Sequence, residues 1–318
     1  MPRYRHALPQ LDDALFLTDG GLETCLVFHD GVDLPCFAAF PLVLDEDGRA
    51  RLRRYFRPYL ETARARGIGF VLDTPTWRAS PDWGARIGFS AGRVDEANRL
   101  SVDFCLALRD AFAGPRTPIV INGVVGPRGD GYTVEGRMSA AEAQAYHARQ
   151  IAVFAESEAD MVTAVTMTYP DEAVGVTRAA RAAGLPVAIS FTVETDGLLP
   201  SGETLREAVE TVDRLTAAAP AYYMINCAHP THFADALGRG EPWLHRVRGV
   251  RANASTKSHA ELDAATELDS GDPVDLAGRI RGLRERLGLS VLGGCCGTDH
   301  RHIAAICEAC TTGEEAFA

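Results

Sequence analysis

The sequence predicts a single closed (β/α)8 TIM barrel of the α/β class, with residues 1–318 as one domain. Three observations carry this. Short apolar, β-branched stretches alternate with longer helix-period patterns. The alternation repeats eight times with no long linker, low-complexity stretch or break in composition. Glycines stop several of the helical patterns just before the next apolar stretch. Repeated βα units require parallel strands, and eight of them favour closure over the competing open, doubly wound sheet.

Taken in order, the strand candidates are Leu15–Asp19, Phe70–Thr74, Ile119–Gly123, Met161–Thr166, Val187–Phe191, Tyr222–Asn226, Gly249–Asn253 and Ser290–Gly294. Between the first two, Leu52, Tyr55, Phe56, Tyr59, Leu60 and Ala63 form one apolar stripe at helical spacing. Val94, Ala97, Ser101, Phe104 and Leu108 repeat the pattern before the third. Ser139 followed by Glu142 reads as a capping box ahead of the fourth strand. Asp272-Pro273 opens a helix before the eighth, with proline at its first position. Gly67, Gly184 and Gly288 stand where left-handed helix caps belong. A last helix is expected over Asp299–Thr312.

Charge narrows the function. The chain of 318 residues has 32 Lys and Arg against 43 Asp and Glu, a net charge of −11. That is the wrong sign for a general nucleic-acid binder or for an anionic membrane surface. No apolar run is long enough to span a bilayer, and Met1–Asp13 has no apolar signal core. The expectation is a soluble cytoplasmic protein acting on small molecules.

In such a barrel the active site lies at the C-terminal ends of the strands. Three of the eight cysteines fall there: Cys227 after strand six, and Cys295 and Cys296 after strand eight. Three thiolates form a soft donor set suited to zinc, and three protein ligands leave the fourth tetrahedral position open for chemistry. The neighbouring glycines are expected to let the adjacent pair turn toward one ion. Three buried, inert thiols are the alternative. A Cys–His zinc site built from Cys227 with His229 or His232 is another.

The segment Gly293-Gly294-Cys295-Cys296-Gly297-Thr298, with Asn226-Cys227, resembles the zinc-binding motifs of the homocysteine S-methyltransferase family. The resemblance runs nearly end to end. It takes in Asp19-Gly20-Gly21, Thr74-Pro75-Thr76-Trp77-Arg78-Ala79-Ser80, Gly126-Pro127, Phe191-Thr192, Asp196-Gly197, Gly202 and Thr204. It implies Zn2+ held by Cys227, Cys295 and Cys296, and a thiol activated to accept a methyl group from an onium-type donor. A free thiol with a pKa near 8.5 is mostly protonated at neutral pH, and coordination to zinc removes that proton. The partners are then a small-molecule thiol, homocysteine or a relative, and a methyl donor. Asp19, Gly20, Gly21, Thr74 and Asn253 are expected to shape the acceptor pocket.

The chain departs from the family at strand four, where Val165 stands in place of a glutamate expected to hold the amino group of homocysteine. Either Asp19, Glu23 or Asp73 supplies the charge, or the acceptor is not an α-amino acid. Pro75 also replaces the family's asparagine. Lys257, the only lysine, offers a Schiff-base lyase as a competing enzyme class. A catalytically silent zinc-thiolate protein is the non-enzyme alternative. Trp77, Trp83 and Trp243 are candidates for a pocket that binds a methylated cation. Cys25 and Cys36 flank an insert that could act as a lid. Cys105 and the pair Cys307 and Cys310 read as core, and His300 and His302 open the last helix.

Overall fold

The computed structural model describes residues 1–311 apart from Asp13, Glu135 and Arg239. The strands are β1 (Phe16–Leu17), β2 (Gly69–Asp73), β3 (Ile119–Val125), β4 (Met161–Met167), β5 (Val187–Phe191), β6 (Tyr222–Asn226), β7 (Val247–Ala252) and β8 (Val291–Gly294). All neighbours pair in parallel and in chain order, and β8 pairs back onto β1, which closes the barrel and excludes the open sheet.

Strands β5 and β6 match the expected bounds, while β1 is only two residues long. Past Leu17 two more bonds join the chain to β8, from the Thr18 N–H to the Leu292 carbonyl and from the Gly294 N–H to the Asp19 carbonyl, and then it turns. The Thr18 hydroxyl donates to the Asp19 carbonyl, and the Gly21 N–H donates to the carbonyl of Thr298. Polar side chains and two glycines favour that turn over further ladder.

The helical stripes are buried as their spacing requires. Glu46–Arg66 turns Leu52, Tyr55, Phe56, Tyr59, Leu60 and Ala63 inward; Asp45 caps its start and Gly67, at φ 63°, its end. Such a cap contributes about 1 kcal/mol. The Ser139–Glu142 capping box is present on Ala140–Ala155, and Asp272 caps Pro273–Leu287. The sixth unit departs from the expected regularity. A four-residue helix, Pro230–Phe233, and a short 3-10 turn, Pro242–Arg246, stand where a full helix was expected. The last helix runs His300–Thr311 and buries Cys307 and Cys310; Thr312 of the expected span lies outside the described residues.

Two layers fill the barrel. The lower is apolar, with Phe16, Val71, Val120, Met161, Tyr222 and Val291 packed together. The N-terminal segment seals it from below, since Asp160 accepts from the Arg3 and Tyr4 N–H groups and pairs with Arg109. The upper layer is polar. Asn122 bridges Asp73 (2.7 Å) and Thr163 (2.9 Å), and Asn226 bridges Ser190 (2.6 Å) and Thr166 (2.9 Å). This polar belt is the floor of the site above it.

Candidate metal centre

The sulfurs of Cys227, Cys295 and Cys296 all lie within 4.8 Å of one another at the C-terminal mouth of the barrel. Each reaches that point by a different local device. Cys227 follows β6 directly and takes a left-handed conformation, φ 53°, while its N–H still donates to Arg251 of β7. A side chain at that φ is strained. Cys295 and Cys296 form the first half of a turn closed by the Thr298 N–H on the Cys295 carbonyl, 3.1 Å. Gly297, at φ 77°, supplies the left-handed step. The glycines just before the pair serve a different purpose from the one expected. A Cβ on Gly293 would stand 1.8 Å from the Thr18 hydroxyl, and one on Gly294 would stand 1.9 Å from that of Thr298. They permit close approach, and the twist falls instead on Cys227 and Gly297.

The three sulfurs hold one another in a state that invites a cation. Hydrogen bonds from Cys295 and Cys296 hold the Cys227 thiol well below the usual range, against the opposing effect of burial. The same bonds push Cys296 well up, and Cys227 raises Cys295 to about 12. A soft cation seated among them removes that competition, since it can stabilise all three as thiolates. The donor set fits zinc.

Tyr132, on the loop after β3, places its hydroxyl 3.0 Å from the Cys227 sulfur and 3.6 Å from that of Cys296. Burial and the Cys227 charge push this phenol well above its usual range, so it keeps its proton and donates. The amides of Asn253 and Asn226 reach the Cys227 and Cys295 sulfurs at 3.7 and 3.9 Å. His259 bonds the Cys227 carbonyl at 2.7 Å and the Glu194 carboxylate at 2.9 Å. Tyr132 and His259 were not singled out from sequence. The one cue to Tyr132 was its place in the glycine-rich loop that begins at Gly126.

Two connected chambers open beside the sulfurs. The inner, about 630 Å3, is lined by Asp19, Gly20, Gly21, Thr74, Val165 and Cys295, among others. The outer, about 1030 Å3, is lined by Phe28, Trp77, Tyr132, Asn253, Cys296 and several acids. Of the residues expected at the acceptor pocket, four therefore face the inner chamber and Asn253 the outer one. The Thr74 hydroxyl accepts from the Val124 N–H and shares a hydrogen bond with Thr76.

Arg251, in β7, organises the inner wall. It donates to Asp19 at 2.7 Å, also pairs with Asp73, and its Nε reaches the Gly294 carbonyl at 3.3 Å. Tyr55 adds a hydrogen bond to Asp19 at 3.0 Å, and burial raises the Asp19 carboxyl to about 7. Sequence reasoning passed over this arginine, since one charge inside a strand of an arginine-rich chain carries no local signal.

The remaining candidates are placed as follows. Lys257 is 51% exposed and pairs with Asp269 at 3.4 Å, outside the walls of both chambers, so the buried amine that Schiff-base chemistry needs is missing. His229 bonds Thr231 and caps a short helix, and His232 bonds the Thr256 carbonyl; neither belongs to the sulfur cluster. His302 bonds Asp299 and the Ser270 carbonyl. Trp77 lines both chambers, Trp83 is buried against Arg78, and Trp243 bonds Glu241 away from the site. Phe37, beside Cys36 in the insert after β1, lines both chambers. All eight cysteines are free, with Cys105 in the core.

Residues 16–310 match the model of the family described as homocysteine S-methyltransferase. The chain belongs to that family. It is an S-methyltransferase on a closed eight-stranded barrel. Among curated relatives, homocysteine S-methyltransferase 4 of Zea mays is 25% identical, the match covering 92% of this chain and 88% of that protein. Methionine synthase of Mycobacterium leprae is 31% identical over 149 residues, which is 44% of this chain and 12% of that protein. The homocysteine methyltransferase MmuM of Escherichia coli shares the fold. Its oxidized form superposes with TM-score 0.74 at 21% identity, covering 96% of this chain and 99% of MmuM. Its metallated form gives 0.71 at 20% identity, covering 95% and 98%. No helix among the described residues is long and apolar enough to cross a membrane.

Proposed function

We propose that this enzyme, acting as one domain, is a zinc-dependent methyltransferase that moves a methyl group from an onium donor to homocysteine or a related thiol. The observation that carries the reading is the trio of sulfurs within 4.8 Å at the edge of two open chambers. Cys227, Cys295 and Cys296 would hold Zn2+, whose charge, when bound, keeps a fourth thiol deprotonated near neutral pH.

The chain's own residues supply the rest. Tyr132 donates to Cys227 and so moderates the charge gathered on the sulfurs. Arg251 fixes Asp19 and the Gly294 carbonyl, which holds the wall carrying Cys295 in register with β1. Gly20, Gly21 and Thr74 shape the inner chamber around the acceptor. The outer chamber sets the aromatic faces of Phe28, Phe37, Trp77 and Tyr132 among Asp130, Asp263 and Glu267. Aromatic faces and acids attract a methylated cation. The methyl group passes in line to the acceptor sulfur; the donor keeps the electron pair of its broken bond and leaves neutral, and the thiol proton goes to solvent. Free thiols at the reaction centre suit the reducing conditions of the cytoplasm, where we place the enzyme.

Cobalt(II) in place of zinc tests this directly. The sulfur-to-metal absorption should grow as L-homocysteine is titrated in. If no thiol adds to the band, the protein is a silent zinc-thiolate binder and the reading fails.

A further inference from the structure

The inner chamber contains three carboxylates, Asp19, Glu23 and Asp73, and they are not equivalent. Arg251 pairs with Asp19 and with Asp73. Asp19 also accepts from Tyr55, and Asp73 from Asn122. Glu23 lies on the short helix Leu22–Thr24 that follows the two glycines, and it is partly buried. Among the described residues its side chain forms no ion pair, and the hydrogen bond it accepts comes from its own backbone N–H.

The nearby cations are committed elsewhere. Arg251 is taken by the two aspartates. Arg78 donates to the Gly129 carbonyl, lies 3.8 Å from Asp130, and is stacked against Trp77 and Trp83. Burial, reinforced by the Cys295 sulfur and Asp19, raises the Glu23 carboxyl to about 7. A carboxylate in a partly desolvated wall without a cation paired to it is costly, and a cation arriving with a ligand relieves that cost.

We propose that Glu23 anchors the ammonium group of an amino-thiol acceptor whose sulfur lies at Cys227, Cys295 and Cys296. The proposal rests on the thiol-methylation reading above and specifies its acceptor. Glu23 lines the inner chamber only, the smaller of the two, beside the apolar side chains of Val124 and Val165. A short aliphatic stem between sulfur and ammonium suits those walls. The outer chamber has acids of its own, Asp130, Asp263 and Glu267, so a cationic donor is provided for there. Asp19, read from sequence as one source of the acceptor's charge partner, already has Arg251.

The test measures binding, so it needs no turnover. Zinc-loaded protein is titrated by calorimetry with L-homocysteine and with 4-mercaptobutanoate, which has the same skeleton without the amino group. The wild type should prefer homocysteine by about 10- to 100-fold, the range for a hydrogen bond to a charged group. E23Q should abolish that preference by weakening homocysteine alone, with zinc content unchanged, and E23D should restore part of it. A preference that survives in E23Q overturns the proposal, as does a wild type that binds both thiols equally. Loss of affinity for a sulfonium donor in E23Q, with homocysteine binding intact, also overturns it and assigns Glu23 to the donor. If neither thiol binds the zinc-loaded wild type, the methylation reading itself falls, a result distinct from any failure confined to E23Q.

Discussion

The Tyr132 hydroxyl stands 3.0 Å from the Cys227 sulfur, and the Tyr132 ring packs on His259 with centroids 4.2 Å apart. His259 in turn bonds the Cys227 carbonyl. One cysteine is thus gripped at both its side chain and its backbone by two residues that touch each other. Y132F removes the donor and leaves the ring. In the metal-free protein, the pH midpoint for alkylation of Cys227 should rise by about one unit, since a hydrogen bond to a charged group is worth roughly 1.5 kcal/mol or more. An unchanged midpoint would show that Tyr132 does not act on the sulfur.

Serine at Cys227, Cys295 or Cys296 should release zinc and lower turnover together, each by more than about 100-fold, because a hydroxyl does not ionise as a thiol does. Metal analysis beside a methylation assay checks this. C307S and C310S, on the buried face of the last helix, serve as controls and should retain the metal.

Removing Arg251 leaves Asp19 and Asp73 facing each other without their shared cation. R251M should cost about 3–5 kcal/mol at neutral pH, the usual penalty for breaking a buried pair from one side. The deficit should shrink as pH falls, because Asp19, whose carboxyl burial already raises, takes up a proton and removes one of the two stranded charges. Urea denaturation at two pH values gives both numbers.

Glu23 makes a separate prediction about stability. Its carboxyl is raised by burial from an ordinary 4.5 to about 7, so between those values the folded chain binds a proton that the unfolded chain has lost. The contribution of Glu23 to stability therefore declines as pH rises through that window. E23Q should lack this decline. Its melting temperature should gain on the wild type more at pH 8 than at pH 5, and equal gains at both would contradict the assignment.

The barrel and the cysteine cluster were legible because each rests on a local pattern. Val187–Phe191 and Tyr222–Asn226 are continuous apolar runs, and the strand-end rule places Cys227 and Cys295 at one mouth. What escaped depends on distance in the chain. Arg251 meets Asp19 and Asp73 only when β7 curves round to face β1 and β2, and nothing beside it in sequence announces that. Tyr132 follows its strand by several residues of loop, where no periodicity operates. The left-handed Cys227 is opaque for another reason: strain of that kind favours glycine, and the residue present is the one the site requires.

The cysteine trio also bears on how the barrel comes apart. Cys227 leaves β6 and the Cys295–Cys296 pair leaves β8, with β7 between them. A single ion gripping all three would clamp the final quarter of the ring, spanning two strand junctions that no covalent bond crosses. Opening the barrel at that quarter and letting go of the metal then become one event. The rate at which a chelator strips the metal should report the rate at which those strands part.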